Sequence, residues 1–251
     1  MKLQVKRFFD NSFKTYDNNA NIQKIIANHL AGHISKNYYE QVLELGVGSG
    51  LFTKLLMDKI SFKKYVGIDL SYNLLTKAKS KFDELSFINA DIDYLPVDIA
   101  RFDIITGSSV LQWLEFPKNT ISLLIQNAKK GTEFYFSIFL EGTFSEMKHL
   151  YHLTGFGSVF NLKDENFYKD IFYNFNKSEW IFEKQNYVLY YDSVQEFLKQ
   201  HKKTGARYTE KKSFTSKQSY INFCRLYEEL FKNENNKIPV TYSILYIRGV
   251  K

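Results

Sequence analysis

The sequence predicts a doubly wound α/β fold, in which a mostly parallel sheet carries helices on both faces. Three observations carry this prediction. Short apolar runs alternate with segments of helical periodicity from residue 41 to residue 139. A glycine-rich turn, Gly46-Val47-Gly48-Ser49-Gly50, follows the first run. An acidic residue, Glu44, Asp69 or Asp91, stands at the end of each of the first three runs. Strands buried on both faces read as near-continuous apolar stretches, and the helices between them show a spacing of three to four residues.

Taken in order, Tyr16, Asp17 and Asn18 lead into Ile22, Ile25, Ile26 and Leu30, which predicts an amphipathic helix behind a short polar cap, within an N-terminal region of about 8–34. Gln41 to Leu45 is the first strand, and Leu51, Leu55 and Leu56 resume helical spacing after the glycines. Tyr65 to Asp69 is the second strand, with Ser71 as N-cap of a helix carrying Leu74, Leu75, Ala78 and Phe82. Ser86 to Ala90 and Phe102 to Thr106 read as two further buried strands, 119–129 as a helix and Glu133 to Phe139 as a fifth strand, closing a core of about 38–140. Thr143 and Glu146 match a capping box ahead of Met147 and Leu150. The Phe- and Tyr-rich stretch of about 144–178, broken by Gly155 and Gly157, predicts a helical or irregular lid insertion. In the C-terminal region 180–251, Trp180 to Tyr191 is a strand, Val194 to His201 and Tyr220 to Phe231 are helices, and Val240 to Ile247 is an antiparallel last strand behind Pro239. The sum is seven strands in a single domain, 1–251, with no internal repeat.

With 44% hydrophobic residues the chain has material for a packed core. One cysteine, Cys224, excludes an internal disulfide and suits a reducing compartment. No apolar stretch is long enough for a signal peptide or a bilayer span, so a cytoplasmic location is expected. Of the formal charge of +7, nearly all lies in 199–217, where Lys199, Lys202, Lys203, Arg207, Lys211, Lys212 and Lys217 face Glu210 alone. Such a run is either a solvated loop or a docking patch for an acidic partner. Cys224 has no neighbour at metal-ligand spacing and no metal cluster is compelling, so no metal is expected; His149 and His152 read as structural or exposed.

The glycines let backbone approach a nucleotide-like cofactor closely, at the N-terminus of the following helix. The turn reads E-x-G-x-G-x-G and lacks the third glycine of a dinucleotide loop, since Leu51 falls there. Glu44, two residues before Gly46, would repel a pyrophosphate but attract a cation. S-adenosylmethionine carries a sulfonium and an ammonium and no phosphate. Asp69, 19 residues beyond Gly50, can accept both ribose hydroxyls. Asp91 can accept from the adenine amino group while Ile92 covers the ring. The expected cofactor set is Glu44, Gly46, Gly48, Gly50, Asp69, Leu70, Asp91, Ile92 and Ser108.

At these residues the chain resembles the class I S-adenosylmethionine-dependent methyltransferases, whose fold is a Rossmann-like sheet. F-F-D-N-S-F-K-T-Y-D-N-N-A-N-I-Q (8–23), A-D-I-D-Y-L-P (90–96), S-S-V-L-Q-W (108–113), F-S-I-F-L-E-G-T-F-S-E (136–146), Leu198 with Thr204-Gly205-Ala206, and P-V-T-Y (239–242) are similar to the malonyl-acyl-carrier-protein O-methyltransferases of biotin synthesis. The segments 151–180 and 207–219 match poorly, and Val47 and Ser49 stand where cysteine and proline are frequent. The resemblance implies methyl transfer to the free carboxylate of a malonyl thioester on acyl carrier protein. An ionised carboxylate needs no general base, so only positioning residues are expected: Gln112, Trp113 and Tyr16. Lys199, Lys202, Lys203 and Arg207 are expected to meet the carrier or substrate.

Competing expectations are a methyltransferase of quinones or amines, a nucleic-acid methyltransferase, and a non-catalytic binding module. Nucleic acid is disfavoured because Gly107-Ser108-Ser109-Val110 replaces the N/D-P-P-Y/F loop and no proline precedes Cys224. A retained glycine turn with three acids speaks against a retired site.

Overall fold

The computed structural model describes residues 1–175, 179–209 and 216–251. Its strands are β1 (Tyr38–Leu45), β2 (Ser61–Asp69), β3 (Ser86–Asn89), β4 (Ile104–Ser108), β5 (Glu133–Phe139), β6 (Trp180–Tyr191) and β7 (Ile238–Val250). They form one seven-stranded sheet in the order β3-β2-β1-β4-β5-β7-β6. The first five are parallel, and β7 inserts antiparallel between β5 and β6. The strand order reverses between β1 and β4, the switch point at which doubly wound sheets open a crevice beyond the carboxyl ends of the strands.

Helices α1 (Lys2–Ser12), α2 (Tyr16–Asn19), α3 (Asn21–His33), α4 (Leu51–Lys59), α5 (Tyr72–Lys79), α6 (Pro117–Asn127), α7 (Ser145–Thr154), α8 (Glu165–Tyr173), α9 (Val194–Lys203) and α10 (Lys217–Phe231) flank it. Alternation along β1 divides the core: Val42 packs with Ile26, Leu30, Phe52 and Leu56 on one face, and Leu43 and Leu45 pack with Ile121, Leu124 and Phe172 on the other. Burial of these side chains stabilises the fold by roughly 1.5–3 kcal/mol each.

Several local expectations are revised. The N-terminal region is three helices, and the polar cap is not used: α3 starts at Ala20 without a side-chain cap bond. Asp17 instead accepts from Ser49 and pairs with Lys77 and Lys81 at 2.9 Å, tying the N-terminal region to the glycine turn. The strand β3 is a half-exposed edge, since only β2 pairs with it. The capping box does not form: α7 follows Phe144 in left-handed conformation with no side-chain cap bond. Thr143 and Glu146 instead hydrogen-bond Ser243 and Thr241, fastening α7 to β7. The lid is shorter than its sequence suggests. Met147 and Leu150 of α7, and Tyr168, Ile171 and Phe172 of α8, are buried in the two cores, leaving 155–164 to cover the crevice. Ser71 caps α5 as expected, accepting from the Leu74 N–H. Glu210, Lys211 and Lys212 of the basic segment lie outside the described residues.

Candidate active site

Two cavities meet at the carboxyl edge of the sheet. The smaller, about 90 Å³, is lined by Gly46, Gly48, Asp69, Leu70, Asp91, Ile92 and Ser108, all expected cofactor residues. The larger, about 250 Å³, is mostly apolar and rich in aromatic rings, and its lining includes Gln112, Phe144, Phe160 and Arg207. Phe9, Tyr16, Ser109 and Trp113 line both.

The turn after β1 folds as it does because Gly46 has φ of +70° and a Cβ there would lie 2.3 Å from Val110. Gly48 also has positive φ, with no atom within 4 Å of an added Cβ, so its backbone lies open to a ligand. Asp69 accepts from the Gly48 and Ser71 N–H groups, each at 2.7 Å, and is thereby held at the cleft. Burial pushes its carboxyl up to about 6, against the two backbone N–H groups that lower it; Asp10 adds to the rise. Asp91 takes the Lys2 ammonium at 2.5 Å and the Asp93 N–H at 3.0 Å on the same oxygen, Oδ1. Lys2 also reaches Asp93 at 2.7 Å, so α1 lies strapped across the cleft.

Two expected cofactor residues are not in this lining. Gly50 is the left-handed residue ahead of α4 and opens onto a separate groove with Lys81 and Phe82. Glu44 is wholly buried and turned to the opposite face of β1, where its Oε2 accepts from Thr53 at 2.9 Å and Tyr65 at 2.7 Å. The alternation that sends Leu43 and Leu45 to one core sends Glu44 toward α4 and β2, beneath the turn. Its Oε1 has no hydrogen-bond partner, and burial raises the carboxyl to about 7, with the Tyr65 and Thr53 hydroxyls opposing.

That shift has a measurable sign. An acid raised on folding supplies stability below its unfolded value, and the stability is lost as pH rises through the folded one. The loss for Glu44 amounts to roughly 3 kcal/mol between pH 4.5 and 7. Urea midpoints from pH 5 to 8 are therefore expected to fall more steeply for the parent than for Glu44→Gln; parallel curves would refute an ionising buried Glu44.

At the junction of the cavities, Ser109 adopts φ of +59° and donates its N–H to the Ser137 carbonyl at 2.9 Å. Its Oγ is buried without a partner. Gln112 donates to the Ser109 carbonyl at 2.6 Å, fixing that bend, while its buried Oε1 is also unpartnered. Trp113 meets Phe9 edge-on at 5.7 Å and stacks on Phe160 at 5.3 Å, joining α1 to the segment 155–164. Tyr16 stays a neutral phenol, because burial and the carboxylates of Asp69 and Asp17 raise it. Ser109 was not singled out from sequence; its signal was its place between Ser108 and Gln112.

His201 lines the larger cavity against Phe144 and Phe197. Burial and the Arg207 charge push it down to about 4, so it is neutral near pH 7. Arg207 is thus the one positive charge lining that cavity among the described residues, and it lies over the Phe8 ring at 4.5 Å. It also belongs to a surface groove with Lys199, Lys202 and Lys203, so the basic patch opens at the cavity mouth. No described helix is long and apolar enough to cross a membrane.

Known proteins resemble this chain in sequence and in fold. Residues 43–136 match the methyltransferase domain family. The chain is 32% identical over 247 residues to the malonyl-acyl-carrier-protein O-methyltransferase of Calditerrivibrio nitroreducens, covering 97% of this chain and 95% of the relative. It is 29% identical over 273 residues to the protein of the same name from Priestia megaterium, covering 100% and 98%. Among solved structures, the YcgJ protein of Bacillus subtilis matches the fold with a TM-score of 0.60 at 16% identity, over 89% of this chain and 98% of that one. The likeness therefore runs from α1 through β7 and takes in both cavities: the chain belongs to the malonyl-acyl-carrier-protein O-methyltransferase family.

Proposed function

We propose that this protein transfers a methyl group from S-adenosylmethionine to the free carboxylate of a malonyl thioester carried on acyl carrier protein, giving the methyl ester used in biotin synthesis. The carrying observation is the pair of adjoining cavities, one with Asp69 and Asp91 at strand ends and one apolar with Arg207 as its one cation among the described residues. The cofactor supplies an electrophilic methyl group. Asp69 accepts the ribose hydroxyls, and Asp91 Oδ2 and Ile92 receive the adenine.

The acceptor carboxylate is already ionised near pH 7, so no residue has to remove a proton. Ser109 Oγ, at the junction, donates a hydrogen bond that holds one carboxylate oxygen. Gln112 fixes Ser109, and Trp113, Phe9 and Tyr16 close the junction against water, so that the chain contributes by alignment. Arg207, remote from the junction, pairs with the phosphate of the phosphopantetheine arm. Lys199, Lys202 and Lys203 face the acidic carrier protein.

Formation of S-adenosylhomocysteine with malonyl-carrier protein, malonyl-coenzyme A, free small acids and RNA, compared side by side, tests the reading. Turnover is expected with the two thioesters alone. Reversing Lys202 and Lys203 to Glu is expected to lower kcat/KM about tenfold on the carrier-bound substrate and to spare malonyl-coenzyme A. Equal loss on both would remove the patch from carrier recognition.

A further inference from the structure

Outside the lining of both cavities, α3 and the edge strand β6 bring together two histidines and a glutamate. His29 and His33, one helical turn apart, present their rings on the same face of α3. Opposite them Glu183 places Oε1 at 3.1 Å from His29 Nε2 and Oε2 at 3.2 Å from His33 Nε2. One ligand atom from each residue falls within 4.8 Å of the others. None of the three lines either active-site cavity.

We propose that His29, His33 and Glu183 form a binding site for a divalent transition-metal ion of the zinc type, clipping α3 to the sheet edge. Imidazole and carboxylate are the ligands such an ion takes, and two histidines at i and i+4 on one helix face are a recurring half-site. Bonds of about 2.0 Å in tetrahedral geometry put neighbouring ligand atoms about 3.3 Å apart. The two imidazole–carboxylate separations, 3.1 and 3.2 Å to different oxygens of Glu183, are close to this, and the three ligand atoms, within 4.8 Å of one another, draw together on the ion. Hydrogen bonding does not account for the whole arrangement: Oε2 lies off the axis of His33 Nε2, which stays buried without a hydrogen-bond partner despite the nearby carboxylate. His29 Nε2 is hydrogen-bonded to Glu183 Oε1, and the Gln185 amide contacts both, 3.3 Å from His29 Nε2, so an entering ion displaces that amide. The ring of His29 is steadied on Tyr246 at a centroid distance of 4.3 Å. All three side chains are partly exposed, which leaves water to complete the coordination.

Arg248 opposes the site, since its guanidinium lies 3.1 Å from His33 Nδ1. An imidazole coordinating through Nε2 carries its proton on Nδ1, so the guanidinium turns outward when the ion binds.

Calorimetry with zinc chloride on the chelator-treated full chain tests the proposal, with cobalt(II) absorption as a readout of four-coordinate geometry. One ion per chain is expected at micromolar or tighter affinity, with a rise in Tm of about 5 °C at hundredfold excess over Kd. His33→Gln and Glu183→Gln, each verified as folded by circular dichroism, are expected to weaken binding at least tenfold, and Arg248→Gln to tighten it. No stoichiometric binding, affinity unchanged in both ligand variants, or no tightening in Arg248→Gln would each overturn the site. Methyl transfer is independent of the outcome.

Discussion

Asp69→Ala is expected to weaken S-adenosylmethionine binding at least about tenfold at pH 8, through loss of charge-assisted hydrogen bonds to the ribose. The same carboxylate now holds the Gly48 and Ser71 N–H groups, so the substitution also frees the turn that cradles the cofactor. The raised carboxyl makes the effect depend on pH in a defined direction. With its value near 6, Asp69 is almost wholly ionised at pH 8 and about one-tenth ionised at pH 5. Since the ionised form accepts the hydroxyls, the parent's affinity is expected to fall about tenfold between pH 8 and pH 5. Binding below pH 6 then releases a proton. Asp69→Asn is expected to abolish that dependence while keeping the side chain's volume. Calorimetry with S-adenosylhomocysteine at the two pH values reads both effects; equal pH dependence in parent and Asp69→Asn would transfer the titration to another group.

The sequence carried the fold because the central strands β1, β4 and β5 are apolar runs buried on both faces over most of their length, a pattern that survives without tertiary information. The element β5 falls at its expected limits for that reason, and β6, a half-exposed edge strand, does so as well. Errors arose where a side chain had more than one local use. Thr143 and Glu146 satisfy a capping spacing, but β7 lies close enough to take both, and tertiary hydrogen bonds replaced the cap. Asp17, expected near a cap, pairs instead with two lysines around α5 and with Ser49 of the turn. Charge logic placed Glu44 beside a cation, although strand alternation points it the other way, and the alternation prevailed. Ser109 becomes informative only when the cavities are seen, since an unpartnered hydroxyl is a property of surroundings, and Arg207, expected from the basic run, is set apart from its lysines only by its place in the cavity lining. The cluster of His29, His33 and Glu183 was hidden because its third member is contributed by a strand 150 residues away.

Arg207→Ala is expected to raise KM for malonyl-carrier protein and malonyl-coenzyme A about tenfold while leaving kcat nearly unchanged. A group that grips the substrate equally before and during reaction contributes to binding and not to the chemical step. Arg207 is placed for that task, because it stands where the 250 Å³ cavity meets the lysine groove and is exposed enough to meet an entering phosphate. Its stacking on Phe8 of α1 limits the orientations of the guanidinium. The phosphate assignment separates from a carboxylate assignment by truncation. A malonyl thioester of N-acetylcysteamine keeps the carboxylate and lacks the phosphate, so parent and Arg207→Ala are expected to process it alike. A tenfold loss that persists on the truncated thioester would move Arg207 to the acceptor carboxylate. In that case kcat would be expected to rise as KM rises, since an ion pair to the nucleophile weakens as methylation neutralises it.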